Sequence, residues 1–199
     1  MSALLPLATK RRSIYHIGKN VTQSAAEISE IVREISKQAP SAFNSQSSRV
    51  VVLFGDEHNA LWDIVEKALS KVVPAENFAP TKAKIDSFRA GFGSILYFED
   101  EAVVKNLQEQ FPAYAHNFPR WSEHAHGITL YGIWMALAEV NIGASLQHYN
   151  ELIEAEVKAR WDIPETWSIR AQMPFGSIES PAEPKDFMPT DERFIVFGA

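Results

Sequence analysis

Residues 39–54 read A-P-S-A-F-N-S-Q-S-S-R-V-V-V-L-F, and the passage changes character at Arg49. From Ser41 to Arg49 the side chains are mostly hydroxyls and amides, closed by a guanidinium. From Arg49 to Phe54 they are β-branched and apolar without alternation, which predicts a strand buried on both faces. Just upstream, Ser24-Ala-Ala-Glu27 has the spacing of a capping box, Ile28, Ile31, Val32 and Ile35 recur at helical intervals, and Pro40 stops the run. The polar loop between helix and strand has two readings. Asn and Ser commonly bond their own backbone at such places, or the loop presents a row of donors to a ligand.

Outward from this passage, Gly55-Asp56 turns the chain, and Leu61, Trp62, Ile64, Val65 and Leu69 mark an amphipathic helix. Residues 74–93 read as loop with short helical pieces. Ser94–Phe98 reads as a second buried strand and Ala102–Gln110 as another helix. A long helix opens at Ser122 and is apolar nearly all round from Ile128 to Val140, with Gly143 as its stop. A helix of that kind must be covered on every side, and a subunit interface would do so. Asn150 caps a helix that runs to Trp161 and ends before Pro164. Trp167, Ile169, Ala171 and Met173 alternate with polar residues and predict a strand with one wet face. The interleaving predicts an α+β fold, a mixed sheet covered by helices. It forms a single domain over 1–199, in which 181–199 is an extended C-terminal arm closed by a strand at Arg193–Phe197.

With 199 residues, 46% hydrophobic and 22% charged, the chain can build one sizeable core. Its net charge of -6 argues against a nucleic-acid surface. The absence of cysteine removes disulfides, thiolate nucleophiles and cysteine metal sites. The longest greasy segment, Gly127–Leu146, is interrupted by Glu139 and Asn141, so no membrane span is expected. These features together predict a soluble cytoplasmic protein.

Most standard catalytic patterns are missing: no G-x-G-x-x-G, P-loop or G-x-S-x-G occurs. His116, His124 and His126 do not converge on any regular spacing and read as surface histidines, and Glu99-Asp100-Glu101 reads as a solvated helix start. Lys10-Arg11-Arg12-Ser13 is more specific. Two guanidinium groups and a hydroxyl in three residues can hold a phosphate, although basic pairs are also commonly just solvated.

Taken in order, R-R-S near the start, the capping-box helix, and A-P-S-A-F-N-S-Q entering a strand resemble the nitroreductase-like flavoproteins. The W-S-E-H-A-H-G, M-P-F-G-S and M-P-T-D-E-R-F-I-V-F-G segments are similar to its fatty-acid-repression-mutant-like branch. The resemblance covers nearly the whole chain. It implies a three-layer α/β/α fold in an intertwined homodimer with FMN at the interface. Arg11, Arg12 and Ser13 would then grip the FMN phosphate, joined by Lys185. Ser41, Phe43, Asn44 and Gln46 would line the flavin from the other subunit. Gln147, His148 and Tyr149 would lie at the isoalloxazine edge. The family often carries an arginine two positions after that lysine, where this chain has Phe187, and Arg193 or Arg12 would have to compensate. Hydride would pass from NADH or NADPH through the flavin to nitroaromatics, quinones or similar flat acceptors, with no catalytic side chain or metal needed. The alternative is a flavin-binding regulatory or sequestering protein of a stress or lipid response, with little reductase activity.

Overall fold

The structure, a computed structural model, describes residues 2–198. Its centre is the strand β3 (Gly93–Asp100), every residue of which is buried. Neighbouring strands are β5 (Trp167–Ile178) on one side and β2 (Ser48–Phe54) on the other, both antiparallel to it. Two short strands, β1 (Ile17–Gly18) and β4 (Gly143–Ala144), pair with the far end of β5. All these ladders are antiparallel, and a parallel bridge between Ser13 and Ala144 gives the sheet its mixed character.

Because side chains alternate along a strand, β3 feeds two cores. Leu96 and Phe98 pack with Trp62 and Val65 of α3 (Gly55–Leu69), Phe88 of α4 (Phe78–Arg89) and Val157 of α7 (Asn150–Trp161). Ile95 and Tyr97 face the opposite way, toward Ile28 and Val32 of α2 (Ala25–Gln38) and Ile133 and Leu137 of α6 (Phe118–Glu139). Helices therefore cover both faces of one sheet, in three layers. Two shorter helices complete this part, α1 (Leu4–Lys10) and α5 (Glu101–Gln110).

Several sequence expectations need correction. The strand at 49–54 is half-buried along most of its length, because it forms an edge of the sheet and has a partner on one side alone. Residues 74–93 contain the full 12-residue helix α4. The long helix starts at Phe118 and stops before Gly143: Asn141 takes the left-handed conformation, φ 62°, and Ile142 N–H closes onto Leu137 O at 2.9 Å. Gly143 lies instead in β4, where an added Cβ would sit 3.0 Å from the Ile14 side chain. Asn150 is the first helical residue, and its amide donates to Arg170 O at 2.8 Å. The expected wet face of β5 is part-exposed at Ser168 and Arg170 but dry at Gln172, which is fully buried. Its amide donates to Asn150 Oδ1 and accepts from Tyr149 N–H, each at 2.8 Å. Arg193–Phe197 pairs with no strand. The chain there forms a helical turn, α8 (Thr190–Arg193), followed by exposed residues that belong to no strand. Among the described residues no helix is long and apolar enough to cross a membrane.

Candidate functional site

The capping box at Ser24 and Glu27 forms as the sequence requires, and it sets where α2 begins. Pro40 ends the helix, and the polar loop then folds on itself. Ser41 Oγ accepts from Gln46 N–H at 2.9 Å, and Asn44 N–H donates to Ser41 O at 3.0 Å. Both bonds leave the Ser41 hydroxyl hydrogen free to donate outward. Phe43, Asn44 and Gln46 have φ of 57°, 53° and 49°, three of the five non-glycine residues with positive φ among those described. Such clustering of a costly conformation is typical of ligand-facing loops. The strain turns Phe43 outward, half-exposed, into an aromatic cluster. Its ring centroid lies 4.9 Å from Phe111, 5.3 Å from Phe118 and 6.1 Å from Trp121, the last nearly parallel. Ser41, Phe43, Trp121, His124, Ala125 and Ile128 line a largely apolar cleft of about 440 Å³.

A second cleft, of about 560 Å³, lies between the segment after α1 and the C-terminal arm. Arg11, Arg12, Ser13 and Lys185 all line it, with Tyr15 and His16. The pairing of Ser13 with Ala144 and of β1 with β5 anchors this segment to the sheet, so the cations sit on a fixed support. Arg12 donates to Glu183 O, which ties the arm down. The Arg11 guanidinium lies 4.5 Å from the Trp134 ring, and its buried Nε has no hydrogen-bond partner. Lys185 lies 4.8 Å from the ring of Phe187, so the residue at the family's arginine position supplies a ring for the lysine. Arg193 lines a neighbouring cleft that Lys185 also borders.

The 147–149 segment lies beside β5. Gln147 is buried, with its amide on Ser145 Oγ at 3.1 Å, and Tyr149 packs edge-on against Trp62 at 6.4 Å. Of the three, His148 alone is exposed. The N–H and C=O of Gln147 are both bonded to Gln172, and Tyr149 N–H donates to Gln172 Oε1, so of the three His148 is the one left open to a ligand. The candidate residues fall into separate places on one chain: the cation cleft and the aromatic cleft share no lining residue.

Three polar residues expected at the surface, Glu99, Asp100 and His126, are buried. Glu99 is fully buried, and burial pushes its carboxyl up to about 7, with Glu123 adding to the rise. Ser47 and Arg170 pull it back only in part. His126 is also buried, and burial lowers it to about 4. The surface reading therefore holds for His116 and His124 but not for His126. No group of three or more potential metal ligands occurs among the described residues. The aromatic residues Phe111, Tyr114 and Phe118 went unremarked in the sequence. Their only signal was aromatic density, whose meaning depends on the approach of Phe43.

The chain matches the nitroreductase family model over residues 8–177. It is 34% identical over 183 residues to the nitroreductase FRM2 of Saccharomyces cerevisiae, covering 90% of each chain. It is also similar to the nitroreductase CinD of Lactococcus lactis, solved in complex with nicotinic acid. Identity there is 48% and the TM-score 0.92, over 98% of this chain and all of that one. CinD has also been solved with chloramphenicol and with 4-nitrophenol. A Desulfovibrio desulfuricans structure in complex with FMN shares the fold at a TM-score of 0.72 and 18% identity, covering 99% of this chain and 98% of that one.

Proposed function

The chain belongs to the nitroreductase family, and from that premise we propose that it is an FMN-dependent, homodimeric oxidoreductase that uses NADH or NADPH to reduce flat electrophiles such as nitroaromatics and quinones. The observation that carries the cofactor reading is the cation cleft. Arg11, Arg12, Lys185 and the Ser13 hydroxyl surround one opening, and the orphaned buried Nε of Arg11 wants an acceptor. A phosphate monoester fits that donor set, since guanidinium groups bind its oxygens with charge-assisted geometry. When bound, FMN supplies two-electron redox chemistry, which removes the need for a nucleophile or metal in the protein.

The remaining tasks fall to the chain itself. The exposed His148 would border the flat ring, and the tie from Arg12 to Glu183 would keep the arm beside the phosphate-binding cations. The aromatic cleft stacks the acceptor, and its apolar lining excludes water from the reaction. That CinD binds nicotinic acid, chloramphenicol and 4-nitrophenol supports an aromatic acceptor here. Because the two clefts are separate within one chain, the 41–46 loop serves the cation cleft of a second copy. The exposed Ile128 and Tyr131 of α6 and the exposed apolar residues Phe194–Phe197 of the arm supply the surface for that pairing.

The test is direct. Purified protein should be yellow, and the flavin should co-elute with a dimer-sized protein peak in size exclusion. FMN should bind much more tightly than riboflavin, because only FMN offers the phosphate. Equal affinities would remove the cation cleft from the role assigned to it.

A further inference from the structure

Three elements converge on one dry polar spot: the end of β3, the first turns of α6, and the loop that leads into β2. Glu99 comes from the first, His126 from the second, and Ser47 from the third, and all three are at least nine-tenths buried. Seven buried side-chain polar atoms lack a partner among the described residues, and four of them are here: Glu99 Oε1, both ring nitrogens of His126, and Ser47 Oγ. Ser47 Oγ lies beside the Glu99 carboxyl and can serve it, which leaves the two nitrogens of His126 as the orphans that mark a built site. Glu99 Oε2 lies 3.9 Å from His126 Nδ1, too far for a direct hydrogen bond and of the length that tightens when a reacting complex forms.

The surrounding charges decide where a proton rests. Facing the pair are Glu123 of α6, Arg170 of β5 and His148, with the hydroxyls of Ser47 and Ser48 beside the carboxyl. Arg49 is committed to Asp100 at 2.9 Å. Arg170 is already bonded to Glu101 at 2.6 Å and to Glu123 at 2.7 Å, so its charge is shared out before it reaches Glu99. Glu99 thus lacks a counter-ion, and burial favours its neutral acid beside a neutral imidazole. The wall of the aromatic cleft includes His124 and Ala125, immediately before His126 in the chain.

Resting on the reductase reading, we infer that Glu99, positioned with His126, is the internal acid that supplies the proton an acceptor in the aromatic cleft requires. Reduction of a quinone to its hydroquinone takes one hydride equivalent and one proton. The electrons and the first hydrogen come from the nicotinamide donor of the proposed reaction. The second hydrogen leaves the Glu99 carboxyl O–H, is handed on by the His126 ring, and forms the O–H of the product. Glu99 is left as a carboxylate that solvent re-protonates by way of His126 and the exposed His148. Its place in a buried, apolar setting keeps the acid neutral near pH 7, where it can act.

The experiment compares wild-type protein with Glu99→Gln, which keeps the shape and removes the proton. Infrared difference spectra of the wild type between pH 6 and pH 8.5 should contain a carboxylic-acid C=O band that vanishes at the higher pH and is missing from the variant. Quinone turnover in the variant should fall roughly 10²-fold, with loss of the decline in kcat near pH 7, while FMN affinity and the rate of flavin bleaching by the nicotinamide stay as in the wild type. An ionised Glu99 at pH 6, or an unchanged kcat–pH profile in the variant, overturns the inference. The infrared band is read on the wild type, so it decides the protonation claim even where the variant folds poorly. A wild type that shows the band and binds FMN yet reduces no acceptor overturns the reductase reading instead, and the two failures are thereby told apart.

Discussion

At the scale of single residues, Arg11 makes the sharpest claim. Its guanidinium rests on Trp134 with Nε unsatisfied, so the side chain is preorganised for an anion before one arrives. Arg11→Ala should weaken FMN by about 1.5–3 kcal/mol and leave riboflavin nearly unaffected, as read by fluorescence quenching on titration. Equal losses for both would assign the residue to folding. His58 makes a second claim. It is buried with Nδ1 2.9 Å from Ser94 Oγ and Nε2 3.1 Å from Arg89 O, and burial lowers it to about 4. His126 is lowered likewise. Both bind protons more readily when unfolded, so their contribution is present above about pH 6.5 and is lost as pH falls toward about 4, at most about 3 kcal/mol each. Glu99 has the opposite sign, contributing below its ordinary value and losing that as pH rises through about 7. Urea midpoints should therefore drop between pH 6.5 and 4.5, less steeply in His58→Gln, and a slope unchanged in that variant would refute the His58 assignment. Of these residues, Arg11 was legible because charge next to charge is visible in a sequence. Glu99 and His126 were not, because their chemistry comes from burial against elements distant in the chain.

At the scale of elements, the decisive units are the strained 41–46 loop and α6. Helix α2 was legible from its capping box and 3.6-residue periodicity, both local signals. The end of α6 was misread, because glycine is the commoner left-handed residue and Gly143 lay close to the true stop at Asn141. Asn141→Ala should cost about 1 kcal/mol through the left-handed backbone, and Asn141→Gly should cost nothing. Equal urea midpoints for the two variants would contradict the cap. The loop was legible as polar but not as strained, since nothing local predicts positive φ at Phe43 or Gln46. Phe43→Ala removes the ring that stacks on Trp121, and should raise KM for a nitroaromatic acceptor several-fold while leaving the KM for the nicotinamide less affected.

At the scale of the whole molecule, the burial of β3 on both faces accounts for the three layers, and the run Ser94–Phe98 already carried that information. The candidate binding residues fall in two clefts that share no lining residue. In the C-terminal arm, Phe187, Phe194 and Phe197 are 77%, 66% and 92% exposed. The sequence suggested a strand there because Phe-Ile-Val-Phe has strong β propensity, but a strand needs a partner and no described strand pairs with this segment. Ending the chain at Lys185 should convert dimer to monomer in sedimentation and lower FMN affinity, with the core fold retained by circular dichroism. A truncated protein that stays dimeric would place the interface elsewhere. The most direct test of the central claim is an anaerobic titration of the FMN-loaded protein with NADH and NADPH, followed at the flavin absorbance. One of the two nucleotides is expected to bleach the flavin stoichiometrically, and a quinone or nitroaromatic to restore the colour. A protein that takes up no FMN, or whose flavin stays oxidised with both nucleotides, would contradict it.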